Sequence, residues 1–269
     1  MMDAWYLSGE ARVMNACIAM GEHIAWAMSK DFNELSSHER SAGWALHAIM
    51  AIYRGTYDPV YLEAAKRIAV VPMREQKFDK GGAWPHILPT GHAGGHRRAV
   101  GNNLFLVGVL LAGLKDYHAQ TGDLRVERSL ITGARWVMKS WDPDGEGWPQ
   151  SAGINGEPFQ AGVSIWVTPL VIEPLAYVAR LTNDAKMMQC VETAFMAVAH
   201  SDARTWGKAS AMNMHFSASI MGQLQQWRKG HGVNPETGSS AVSQEIVTQE
   251  VAVHGYFDTG IFVRPISRV

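Results

Sequence analysis

Cysteine is nearly absent from these 269 residues: Cys17 and Cys190 are the two that occur. Both lie in apolar, helix-like runs, so the chain reads as carrying two buried thiols and no disulfide framework. Charge is also sparse. Asp, Glu, Lys and Arg make up 18% of the chain and the net charge is −1, which leaves no global pull toward nucleic acid or an anionic membrane. No apolar stretch reaches the ~18 residues of a membrane-crossing helix, so membrane insertion is not expected. The opening, MMDAWYLSGEARV, lacks a basic segment followed by an apolar one; no signal peptide is read and the cytoplasm is the default location. Phosphate-binding glycine loops, the dinucleotide fingerprint and the G-x-S-x-G elbow are missing too, and no cofactor is expected.

What is present is an ordinary globular balance, 47% apolar, with ten tryptophans against eight phenylalanines. Tryptophan joins a broad apolar face to one polar edge, which suits stacking on sugars as well as packing between helices. The chain also repeats a turn. Thr56-Tyr57-Asp58, Thr121-Gly122-Asp123 and Thr182-Asn183-Asp184 each follow a tyrosine (Tyr53, Tyr117, Tyr177) and separate two apolar-periodic runs. The run before each turn is apolar nearly all round, and the run after it carries a polar stripe. An all-apolar helix is buried and a striped one lies outside, so the order is inner–outer, repeated. In each copy the Asp suits an N-cap, and Pro59 suits a first helical turn. Ser8-Gly9-Glu10 followed by an outer-type run forms a partial copy at the front. Another inner-type run, AMNMHFSASIMGQLQQW, follows the third pair. Beyond it, EIVTQEVAV and GIFVRPI are rich in β-branched residues and read as strands. Residues 1–240 are therefore expected to form a helical-hairpin domain and 241–269 a short β extension.

The pattern R-S-A-G-W-x-L…Y…T-x-D…A, followed by E-Q…G-G-A-W, resembles the (α/α) toroid superfamily, which includes the six-hairpin glycosidases and the toroid polysaccharide lyases. The resemblance spans roughly residues 5–228. It implies an all-α ring of hairpins, complete or partial. Three full hairpins and two halves are legible, so an additional chain segment or a homo-oligomeric partner completing the ring is left open. A generic helical bundle is the alternative.

In an inner–outer array the T-x-D turns share one rim, and the long connections 29–41, 72–101, 140–165 and 199–212 share the other, where function concentrates. The connection 72–101 holds five Lys/Arg against two Asp/Glu, together with His86, His92 and His96, then Arg97 and Arg98, and it leads into Asn102 and Asn103. Such a patch suits an acidic ligand, although each residue singly also reads as a solvated charge or, for the asparagines, an N-cap. His38, Glu39 and Arg40 stand at the start of one inner run, and His215 lies within another as either a core or a catalytic histidine. Asp142, Asp144 and Glu146 imitate the first half of a calcium loop, but Gly153 stands where the bidentate Glu belongs, so no metal is assigned. The pair His92/His96 lacks a third ligand.

Two chemistries suit such a cleft. Hydrolysis needs two carboxyl groups flanking the bond, with Glu39, Asp79, Asp142, Asp144, Glu146 and Asp202 as candidates. Elimination on a uronic acid needs groups that neutralise the substrate carboxylate and an imidazole or phenol as base; the toroid lyases similarly use Asn, His, Tyr and Arg. The rim is richer in the second set. The expected function is cleavage of an acidic, uronic-acid-containing glycan, elimination ahead of hydrolysis, with a non-catalytic glycan- or protein-binding scaffold as the third reading. The expected catalytic set is Asn102, Asn103 and Arg97 on the carboxylate, with His96 or His215 as base. His38, Arg40, Trp84, His92, Arg98, Trp148 and Trp206 are the expected substrate contacts.

Overall fold

A computed structural model describes residues 1–29, 39–93, 95, 98–164, 167–201 and 207–231. The chain divides into two compact units, Met1–Met221 and Gly222–Val269. The first holds α1 (Met2–Ser8), α2 (Ala11–Ser29), α3 (Glu39–Thr56), α4 (Pro59–Glu75), α5 (Leu104–Thr121), α6 (Leu124–Met138), α7 (Thr168–Thr182) and α8 (Ala185–His200). It also holds three short strands, β1 (His86–Ile87), β2 (Val100–Asn103) and β3 (Ser151–Gly153). The helix α9 (Gly207–Gly230) runs across the division. In the second unit Trp227 stacks on His231 with ring centroids 3.7 Å apart. The residues expected to form the β extension lie outside the described ones.

The repeated triplet is one turn built three times. Thr56, Thr121 and Thr182 each donate their hydroxyl to the carbonyl four residues back, at Ile52, Tyr117 and Val178. The middle residue takes the left-handed conformation, with φ of 55° at Tyr57, 64° at Gly122 and 55° at Asn183. Asp58, Asp123 and Asp184 then cap the next helix by accepting from Val60 N, Arg125 N and Met187 N. Ser8-Gly9-Glu10 follows the same plan. The Ser8 hydroxyl donates to Ala4 O, Gly9 has φ 67°, and Glu10 opens the way into α2. The two-turn α1 thus takes, in chain order, the place before α2 that the sequence leaves blank, although Met2 is its one buried residue.

The inner helices α3, α5 and α7 lie side by side, with α4, α6 and α8 packed outside them. Leu104, Leu106, Val107, Leu110, Leu111 and Leu114 of α5 are all buried, because α5 has neighbours on every side. Glycine sets the spacing: a Cβ on Gly43 would meet Val109 O at 2.5 Å, and one on Gly113 would meet Gly43 O at 2.5 Å. The two backbones touch where any side chain would hold them apart.

The connection between α4 and α5, and the one after α6, contain the three strands. They pair antiparallel in the order β1-β2-β3, with His86 opposite Gly101, Asn102 opposite Ala152 and Asn103 opposite Ser151. Sequence periodicity misses this sheet because its strands are two to four residues long.

Candidate functional site

The sheet gathers two of the long connections over the N-terminal ends of α3 and α5. Glu39, the first residue of α3, is 5% exposed. Its Oε1 accepts from Asn102 Nδ2, and His86 Nδ1 lies 3.4 Å from the same oxygen. Its other oxygen, Oε2, is buried and accepts from no described group. Asn102 also bonds both backbone groups of Trp84, the N–H donating to its Oδ1 at 3.2 Å. The bond to Glu39 raises the proton affinity of His86 and burial opposes it; the carboxylate prevails, so the imidazole holds its proton above the ordinary histidine range.

Asn103, the next residue on the strand, points to the opposite face. Its Nδ2 donates to His92 Nδ1 at 3.0 Å, while Ser151 Oγ donates to His92 O at 2.6 Å. Arg98 is exposed and has φ 54°. His86, His92 and Arg98 thus ride on one excursion, closed at its base by the β1–β2 ladder.

A second polar group lies farther along the inner helices. Asp116 on α5 is buried; it takes His47 Nδ1 at 2.6 Å, Lys115 Nζ at 3.0 Å and Arg54 at 3.6 Å. Burial alone would raise the Asp116 carboxyl, but the bond from His47 and the two cations more than reverse it, holding it well below the usual carboxylate range. Lys115 continues to Glu173 on α7 at 2.5 Å, and Glu173 Oε1 accepts from Ser219 of α9 at 2.7 Å. Burial would lower Lys115, yet the Glu173 and Asp116 carboxylates raise it above its usual value. His47 Nε2 meets His215 Nε2 of α9 at 3.2 Å.

The expected site residues lie in different settings. Trp148 is fully buried, its indole donating to Val137 O, and Trp84 is buried with its indole donating to Pro72 O; they fill the wall and present no open sugar platform. Asn102 and Asn103 are likewise buried at 0% and 1% exposure, and they pin the sheet rather than reach outward. The Asp142 carboxylate caps its own turn by accepting from Asp144 N and Gly145 N. Among the described residues no three His, Cys, Asp or Glu side chains converge on a metal position. Arg40 is exposed. His215 belongs to the second polar group, and no bond joins it to Asn102 or Asn103. His38, His96, Arg97 and Trp206 lie outside the described residues. His47, Lys115, Asp116 and Glu173 were passed over in the sequence; the signal was there, as ionisable side chains inside runs otherwise apolar on all sides.

The fold defines a class. Inner and outer helical hairpins arranged in this order make it an α/α toroid, complete or partial. Within that class the chain is similar to the crystal structure of unsaturated glucuronyl hydrolase from Bacillus sp. GL1, named as responsible for the degradation of glycosaminoglycan. The TM-score is 0.63 at 14% identity, over 86% of this chain and 69% of that one. A UGL variant with dGlcA-Glc-Rha-Glc superposes to the same extent, with the same score, identity and coverage. No protein-family model and no curated protein matches the sequence. Among the described residues no helix is long and apolar enough to cross a membrane.

Proposed function

We propose that the chain is an enzyme that cleaves uronic-acid-containing glycans, its acidic substrate held at the rim formed by the β1–β2 excursion. The observation that carries this reading is the pinning of the basic connection over the N-terminal ends of α3 and α5. Helix N-termini carry partial positive charge, and the excursion adds the imidazole of His92, the guanidinium of Arg98 and a proton-retaining His86. A carboxylate is the ligand such a rim suits. The fold neighbour named for glucuronyl hydrolysis supports the same substrate class.

Elimination is the first reading of the chemistry, because the described site holds two imidazoles, His86 and His92, and an imidazole is a base an elimination can use. Hydrolysis is the second, favoured by the name of the fold neighbour. Incubation with uronate polysaccharides and with oligosaccharides bearing an unsaturated glucuronyl end separates them. Elimination on the polymer produces an ultraviolet-absorbing double bond; hydrolysis releases reducing ends without it. Release of neither product overturns the enzymatic reading and leaves a binding scaffold. His92→Ala and Arg98→Ala are each expected to raise KM by about 10- to 100-fold with kcat nearly kept, from the ~1.5–3 kcal/mol of a hydrogen bond to a charged group.

A further inference from the structure

The helices α2 and α4 lie close because Gly21 of α2 has no side chain. A Cβ there would meet Tyr61 Cε1 at 2.9 Å and Ile52 Cδ1 at 3.0 Å. Their approach leaves a concave pocket of about 340 Å³ between them. Tyr61, 3% exposed, is its floor, while Trp26 of α2 and Val60 of α4 are its sides at 55% and 50% exposure. The outward stripe of such a helix is ordinarily polar, so an indole left half in water beside a valine is out of pattern. His23 lies along that indole, with ring centroids 5.9 Å apart and planes 30° from parallel, and limits its rotation.

Charge in the pocket comes in both signs. Glu22 of α2 and Glu63 and Arg67 of α4 line it. Glu63 has Lys66 at 3.9 Å. The side chains of Glu22 and Arg67 enter no ion pair or hydrogen bond among the described residues. Burial raises the Tyr61 phenol and the Glu22 carboxylate raises it further, which places that carboxylate beside the floor.

We propose that this pocket is a second binding site, separate from the rim, that takes one neutral pyranose unit of a glycan. A pyranose has a face of C–H groups and an edge of hydroxyls. The C–H face suits the indole of Trp26. A carboxylate accepts from the hydroxyls, and a guanidinium donates to a hydroxyl or to the ring oxygen. Charge decides against other ligands. The lining carries two carboxylates against one guanidinium, and Lys66 beside Glu63 brings the neighbourhood to neutral. A uronate would set its carboxylate against Glu22 and Glu63, and a basic side chain from a partner protein would face Arg67. A neutral sugar meets neither repulsion. The volume is at the low end of the ~300–1,000 Å³ of ligand clefts, which suits a single sugar unit. The inference goes beyond the enzymatic reading and does not need it. From Arg67 to Glu75, where α4 ends, are eight residues, about 12 Å along the axis, and the connection to the rim begins only there.

The test is saturation-transfer NMR on the whole chain, alongside nitrogen-15 spectra that follow the Trp26 indole N–H. The neutral probes are cellotetraose, chitotriose and lactose; the charged ones are glucuronic acid and arginine methyl ester. At least one neutral probe is expected to receive saturation and to shift the Trp26 signal. Its affinity should fall about 10-fold or more in Trp26→Ala and about 10-fold in Glu22→Gln, an isosteric change at an exposed position. The readout needs no turnover, so it stands whether or not a uronate substrate is cleaved. No shift of Trp26 with any neutral probe overturns the proposal, and so does binding that survives both variants. Glucuronic acid acting on Trp26 as strongly as the neutral probes overturns the preference for a neutral sugar. Arginine methyl ester acting in their place overturns the glycan assignment and gives the pocket to a basic protein segment.

Discussion

His86 is the residue whose behaviour with pH is most directly set by its neighbour. Its proton is held more tightly folded than unfolded, so it stabilises the fold fully below the ordinary imidazole range, and that contribution is lost as pH rises through the raised folded value. Thermal melts taken from about pH 6 to pH 9 should show a decline that Glu39→Gln removes. A decline unchanged in the variant would show that the Glu39 contact does not set it. Tyr57 gives a second prediction. It is 72% exposed and sits at φ 55°, a conformation that costs a side-chain-bearing residue ~1–2 kcal/mol. Part of that returns in Tyr57→Gly, and a gain of about 1 kcal/mol in chemical denaturation is expected. The sequence exposed these residues unevenly. His86, His92 and Arg98 stood out because they cluster in one glycine-rich stretch. Asp116 and Glu173 did not, because a single charge in an apolar run reads as noise until a partner on another helix is known, and those partners are 58 and 69 positions away. Trp84 and Trp148 misled for a related reason: the sequence shows a tryptophan near a loop but not the backbone carbonyl that takes its N–H.

At the scale of the element, the hairpins were the most legible part of the molecule. Thr, Asp and the tyrosine before them are local signals, and the turn they make uses bonds spanning two to four residues. Asp58→Ala, Asp123→Ala and Asp184→Ala should each cost about 1 kcal/mol, the usual loss of an N-cap. Equal losses at the three sites, read from denaturation midpoints, would establish that the copies are energetically interchangeable; a loss confined to one would contradict it. Helix spacing was not legible. Gly43 and Gly113 look like weak points in a helix, and only the opposing backbone reveals why no larger residue fits. Gly43→Ala brings its Cβ to 2.5 Å from Val109 O, so α3 and α5 must separate, at a cost of about 1–3 kcal/mol as for other overpacked cores. The His47–Asp116 contact spans the same two helices, so the variant should also raise the pH at which His215 titrates.

For the whole molecule, two imidazoles are tuned in opposite directions by their surroundings. His86 is raised by its bond to Glu39, and His215 on α9 is lowered by partial burial and by His47. Binding of an acidic glycan should therefore weaken as pH rises above the usual imidazole range, as His86 loses the charge that favours an anionic ligand. Binding that is unchanged across that range would contradict the role given to His86. The shared turn bears on how such an architecture changes size. Because each copy satisfies its own hydrogen bonds without help from the next hairpin, insertion or loss of sequence between two copies adds or removes a complete inner-plus-outer pair. Growth by a lone helix would leave a striped surface facing inward, so circumference in this kind of wall is counted in twos.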